Sequence, residues 1–117
     1  MSDDKTIIRQ LKIKTGVVKR LTKENGLYKK EIETLQKSAD SLEAQGAEGA
    51  DVRNAQNLVK ETVRVLDDTL TRLKDAVGDL QDYVVSVESK ENIAKDESLA
   101  AAKTALEEAG LVVGSEA

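Results

Sequence analysis

The residues best placed to do chemistry in this chain are cations near its start. Between Lys5 and Lys30 stand nine lysines and arginines against one acid, Glu24, whereas residues 31–117 carry nine basic residues against nineteen acids. The two stretches hold charges of +8 and −10, and Asp3 and Asp4 complete the net −4. Clustered ammonium and guanidinium groups steer and hold an acidic partner; without a base or nucleophile beside them they break no bonds. The sequence has neither cysteine nor histidine, which excludes thiolate nucleophiles, imidazole bases, disulfides and zinc sites built from those ligands. There is no Gly-rich phosphate loop and no serine elbow, and no lysine, tyrosine or carboxylate is marked by its neighbours as a general acid or base. Neither an enzyme nor a cofactor is expected. The acids Glu61, Asp67, Asp68, Asp75, Asp79, Asp82 and Glu88 lack EF-hand spacing and read as a solvated helix face, not a metal site.

The elements that must carry these cations are long helices. Proline is absent and only seven glycines interrupt 117 residues, enough chain for one domain with one modest core. A first helix is predicted at about 5–45, with Ile7, Leu11, Val18, Leu21, Tyr28, Ile32, Leu35 and Leu42 repeating as a and d positions and Ser2, Asp3 or Asp4 capping its start. At ~1.5 Å per residue such a helix is roughly 60 Å long. Lys14 and Asn25 interrupt the stripe. Both are expected to reach solvent by snorkelling, against the alternative that a buried polar group restricts register.

The run Gly46-Ala47-Glu48-Gly49-Ala50-Asp51 supplies a glycine for the left-handed end of the first helix and Asp51 as the next N-cap. A second helix at about 52–88 places Val52, Val59, Leu66, Leu73, Leu80 and Val87 in one row and Val63, Leu70, Val77 and Val84 in an adjacent one. A stripe that wide packs against two neighbours, so a third helix is required. It is predicted at about 93–109, with Leu99, Ala102, Leu106 and Ala109 on one face, followed by a tail at 110–117 that packs through Leu111, Val112 and Val113 and frays at Gly114. The reading is an all-α, elongated, antiparallel three-helix bundle with coiled-coil-like packing, forming a single domain over 1–117.

On that heptad numbering Arg9, Lys12, Lys19, Arg20, Lys23, Lys30 and Lys37 all face away from the core. An ordinary solubility face intersperses both signs; this ridge does not, and its mutual repulsion is relieved by an acidic partner. Gly16 lies outward in the middle of the ridge, where it costs roughly 1 kcal/mol relative to alanine and permits close approach. Ile13 falls outside the stripe, where the third helix is able to cover it. Gly26 and Gly78 are outward too, which fits glycines that ease the bending of long helices. Aromatics are only 2%, Tyr28 and Tyr83, so base stacking on nucleic acid is not expected. No apolar run approaches the ~20 residues that span a bilayer, and MSDDKTIIRQ has no apolar signal core, so a cytoplasmic protein without a membrane partner is expected.

The segment KIKTGVVKRLTKE at Lys12 to Glu24, followed by NGLYKKE to Glu31, closely resembles the first helix of the tubulin-binding cofactor A family. Weaker similarity continues through Asp51-Val52 and ETVRVLDDTLTRL, at Glu61, Asp68, Arg72 and Leu73. The resemblance implies a chaperone of the cytoskeleton that binds β-tubulin folding intermediates after the chaperonin and holds them for assembly of the αβ heterodimer, without cofactor. It places Lys12, Gly16, Lys19, Arg20, Lys23 and Tyr28 in the partner contact. Many family members have a proline where this chain has Asp67, so the kink a proline would impose is not expected. The alternative function is a structural bundle that self-associates through its apolar stripes; monomer and homodimer are both open.

Overall fold

The computed structural model describes residues 3–115. Ser2, one of the three candidate caps, and the last two residues of the tail lie outside that range. Four helices follow in chain order, α1 (Asp4–Ala44), α2 (Gly49–Val87), the single turn α3 (Glu91–Ala94) and α4 (Glu97–Ser115), with no strand among the described residues. Asp3 is the N-cap of α1, its Oδ1 accepting the Thr6 N–H at 2.8 Å. Gly46, at φ 72°, closes the other end of α1. The Gly46 N–H donates to the Glu43 carbonyl and the Ala47 N–H to the Leu42 carbonyl, the paired bonds of a left-handed helix stop.

Two of the predicted boundaries move. The α2 helix begins at Gly49, so Asp51 stands inside its first turn and is not its N-cap; the carbonyl of Glu48 accepts the first bonds, from Asp51 and Val52. Asp51 still favours the helix, because a carboxylate near the positive end of the backbone dipole is stabilising. The predicted third helix is two helices. Asp96 accepts the Ser98 N–H at 2.9 Å through its own side chain, ending the turn of α3 and capping α4. The α4 helix then runs on through Gly114 to Ser115, past the predicted fraying point. Val112 and Val113 are half-buried against the core and hold this last turn, while Leu111 is exposed. At Asp67, α2 continues without a break.

Packing divides the chain into two compact units. One joins the chain up to Lys23 with the chain from Leu70 onward, and it contains every large apolar side chain that is buried: Ile7, Leu11, Val18 and Leu21 of α1, Leu73, Leu80, Val84 and Val87 of α2, Ile93 of α3 and Leu99 of α4. Each contributes roughly 1.5–3 kcal/mol if wholly removed from water. Ala102, Ala105 and Ala109 let α4 lie close. Three polar contacts give the directions. Lys14 meets Asp79, Asp4 meets Asn92, and Lys103 meets Glu88, so within this unit α1 and α2 are antiparallel and α4 returns parallel to α1. The Ser98 and Thr15 hydroxyls are buried without a hydrogen-bond partner among the described residues.

The other unit, 24–69, is a helical hairpin built from the end of α1 and the start of α2. Its seam residues Tyr28, Ile32, Leu35, Leu42, Val52, Val59 and Leu66 are only half-buried, and Ala39 is its one buried apolar side chain. A seam between two helices leaves a flank to solvent, which a third helix would close. The second row of α2 shows the difference: Val84 is buried, Val77 and Leu70 are half-buried, and Val63 is 38% exposed.

The two interruptions of the α1 stripe behave differently. Lys14 is half-buried and its long stem delivers the ammonium to Asp79, as snorkelling requires. Asn25 does not reach solvent. It is fully buried, and neither its Oδ1 nor its Nδ2 has a hydrogen-bond partner among the described residues. A side chain with one methylene before its amide is too short to follow the route a lysine takes.

Candidate functional site

The cations of α1 stand as the heptad places them: Arg9, Lys12, Lys19, Arg20, Lys23, Lys30 and Lys37 are all exposed. Lys12, Gly16, Lys19 and Lys23 follow one another at intervals of four, three and four residues, which puts them on a single stripe of the helix. A Cβ built on Gly16 would meet nothing within 4 Å, so no packing inside the chain requires a glycine there. The same holds at Gly26 and Gly78. Ile13 is 53% exposed, so the third helix does not cover it.

The stripe is flanked by α4. Lys19, Arg20, Thr22 and Lys23 on one side and Ala105 and Glu108 on the other line an open groove of about 490 Å³. Thr22 donates its hydroxyl to the Val18 carbonyl at 2.8 Å, which turns the polar part of that side chain back to its own helix. Among the described residues neither Lys19 nor Lys23 forms an ion pair with a carboxylate, whereas Arg20 makes an interaction of its own within the chain. Lys12, further toward the N-terminus, has a neighbour that the heptad did not disclose. The Asp96 carboxyl is held below the ordinary carboxylate range by the Ser98 hydroxyl and backbone N–H, and in smaller part by the charge of Lys12. The N–H makes a full hydrogen bond; the hydroxyl acts as a nearby dipole, since its oxygen has no partner of hydrogen-bond geometry. Asp3 is lowered for the same kind of reason, chiefly by the Thr6 N–H.

No group of three or more histidines, cysteines or carboxylates is placed to hold a metal among the described residues, and no described helix is long and apolar enough to cross a membrane. What the site offers is charge at the rim of a shallow apolar groove, an arrangement suited to binding.

A family model described as tubulin binding cofactor A matches residues 6–106. The chain belongs to that family. Among its relatives, the mouse tubulin-specific chaperone A is 31% identical over 100 residues, 86% of this chain and 90% of its own length. The human tubulin-specific chaperone A is 38% identical over 74 residues, 63% of this chain and 68% of its own length. In three dimensions the crystal structure of tubulin folding cofactor A from Arabidopsis thaliana superposes with a TM-score of 0.80 at 29% identity, covering 88% of this chain and 94% of that one. The family assignment expected from the segment at Lys12 to Glu31 and the all-helical fold are thereby established.

Of the six residues expected in the partner contact, Lys12, Gly16, Lys19, Arg20 and Lys23 are exposed on one side of α1. Tyr28 is half-buried on the apolar stripe that forms the hairpin seam and so belongs to a different face of the helix. Thr22, Ala105 and Glu108, which complete the groove, were not among the expected residues. Ala105 carried a signal: Ser98, Ala102, Ala105 and Ala109 recur at intervals of four, three and four residues and are all buried. The face expected for this helix replaced Ala105 with Leu106, which is half-buried.

Proposed function

We propose that this protein is a tubulin-folding chaperone that captures β-tubulin intermediates and holds them, in the cytoplasm, for assembly of the αβ heterodimer. The observation that carries the reading is the match to the tubulin binding cofactor A family over residues 6–106, which includes the whole cationic stripe of the first unit. The exposed cations support the same partner, because a surface on which cations outnumber the few neighbouring acids favours an acidic protein by steering its approach. Lys12, Gly16, Lys19, Arg20 and Lys23, on one side of α1, are the proposed contact residues. The chain acts as one folded domain with no cofactor and no catalytic step.

The test is size-exclusion chromatography with light scattering of the protein alone and mixed with freshly released β-tubulin. A stoichiometric complex is expected, and the triple variant K19E/R20E/K23E weakens it by about tenfold or more while keeping its helical circular dichroism. A triple variant that folds and binds as before removes the cations from the contact. A second reading, a structural bundle that self-associates, draws on Leu27, Leu58, Val63 and Val65, which the 24–69 unit leaves exposed. It predicts a free protein that runs as a stable dimer and forms no complex with tubulin.

A further inference from the structure

We propose that the groove between α1 and α4 is a docking site for an acidic peptide segment bearing an aliphatic side chain, and that Glu108 on its far rim limits how strongly acidic that segment is. The proposal rests on the client-holding reading for its partner, an acidic surface segment of the held protein, but the groove itself is argued from its own walls. It is an open groove of about 490 Å³, large enough to seat one side chain of a ligand and not to enclose it. The base is apolar: Ala105 is buried and presents only a methyl group, and Thr22 has its hydroxyl engaged with Val18, leaving its methyl available. Such a surface takes an aliphatic side chain and gives a purely ionic ligand nothing to bury.

Charge sets the rest of the ligand. Lys19 and Lys23 lie one helical turn apart on the α1 rim without carboxylate partners among the described residues, so their ammonium groups are available to a ligand. Glu108 faces them from α4 across the same groove. An acidic peptide brings carboxylates to the lysine side and directs its aliphatic side chain to the methyl floor. A nucleic-acid strand carries a charge at every nucleotide and binds most strongly where aromatic faces stack its bases. The groove has no aromatic residue and carries an acid on its rim, so the observations favour the peptide.

The test is fluorescence polarisation of a labelled peptide alternating glutamate with leucine, titrated with the full chain. Saturable binding is expected, with loss on replacing the glutamates by glutamines. Glu108→Lys tightens it roughly three- to tenfold and Lys19→Gln with Lys23→Gln weakens it by about tenfold, each change acting at an exposed position that leaves the helical spectrum intact. Lys30→Gln with Lys37→Gln, on the same ridge but outside the groove, leaves it within about twofold. The proposal is overturned if the Lys30 and Lys37 pair weakens binding as much as the groove pair, if Glu108→Lys has no effect, or if single-stranded RNA outcompetes the peptide. The same variants titrated with β-tubulin separate the two ideas. Tubulin binding by a protein that ignores the peptide leaves the chaperone reading standing and removes the groove; peptide binding without tubulin binding does the reverse.

Discussion

Lys14 Nζ lies 2.7 Å from Asp79 Oδ2, and the same ammonium stands 5.5 Å from the centroid of the Tyr83 ring. One cation on the inward stripe of α1 thus meets both an anion and a π face of α2. The lysine side chain is 24% exposed and the aspartate 61%, so water screens the pair and its contribution is at most about 1 kcal/mol. A double-mutant cycle with Lys14→Met and Asp79→Asn, followed by urea denaturation, is expected to give a coupling energy below that figure and falling with added salt. A salt-independent coupling of several kcal/mol would mean the pair is far better shielded than its exposure indicates.

Asn25 is buried without a hydrogen-bond partner, among the described residues, for either end of its amide. Removing an uncompensated buried polar group, with its volume kept, is favourable by about 1–3 kcal/mol. Asn25→Leu is therefore expected to raise the denaturation midpoint. A lower midpoint would show that the amide is hydrogen-bonded in solution.

The two helix caps bear on the acid limb of the stability curve. Asp3 and Asp96 both have carboxyls lowered from the ordinary value of 3.8. The folded state therefore binds these protons more weakly than the unfolded chain does. Their stabilising effect is complete above that value and is lost as pH falls through the lower values of the folded state. Asp96→Asn keeps an acceptor for the Ser98 N–H and removes the titration. The stability difference between wild type and Asp96→Asn is expected to be largest near neutrality and to shrink as thermal melts are taken below about pH 4.

Gly16 separates stability from binding. A methyl group there meets nothing within 4 Å, and glycine is the weaker helix former, so Gly16→Ala is expected to stabilise the free protein by about 0.5–1 kcal/mol. If the partner's backbone approaches at this point, the same methyl weakens tubulin binding. Unchanged affinity in a more stable protein would reduce Gly16 to a residue that eases the bending of α1.

Much of the architecture was legible because its signals are local. Gly46 stops α1 through a positive φ that a side chain disfavours, and a heptad row such as Leu66, Leu73, Leu80 depends only on the 3.6-residue turn. The outward cations follow from the same count, and the segment around Lys19-Arg20-Leu21 carried the family. The break at Asp96 was also local, an aspartate whose carboxylate competes for a backbone N–H, but helical periodicity on both sides concealed it.

The tertiary structure decided what depends on the offset of one helix along another. Sequence by itself determined that these are helices, where the hairpin turns and which faces are apolar, since each of those properties belongs to a few neighbouring residues. It did not determine that the second row of α2 is buried at Val84 yet exposed at Val63, that Asn25 is buried while Lys14 reaches Asp79, or that Ala105 and Glu108 face Lys19 and Lys23. A heptad repeat reads the same at every turn, so sliding one helix along another by seven residues preserves every pattern and changes the neighbours across that pair. Only packing, through the close approach that Ala102, Ala105 and Ala109 permit, selects one of the offsets.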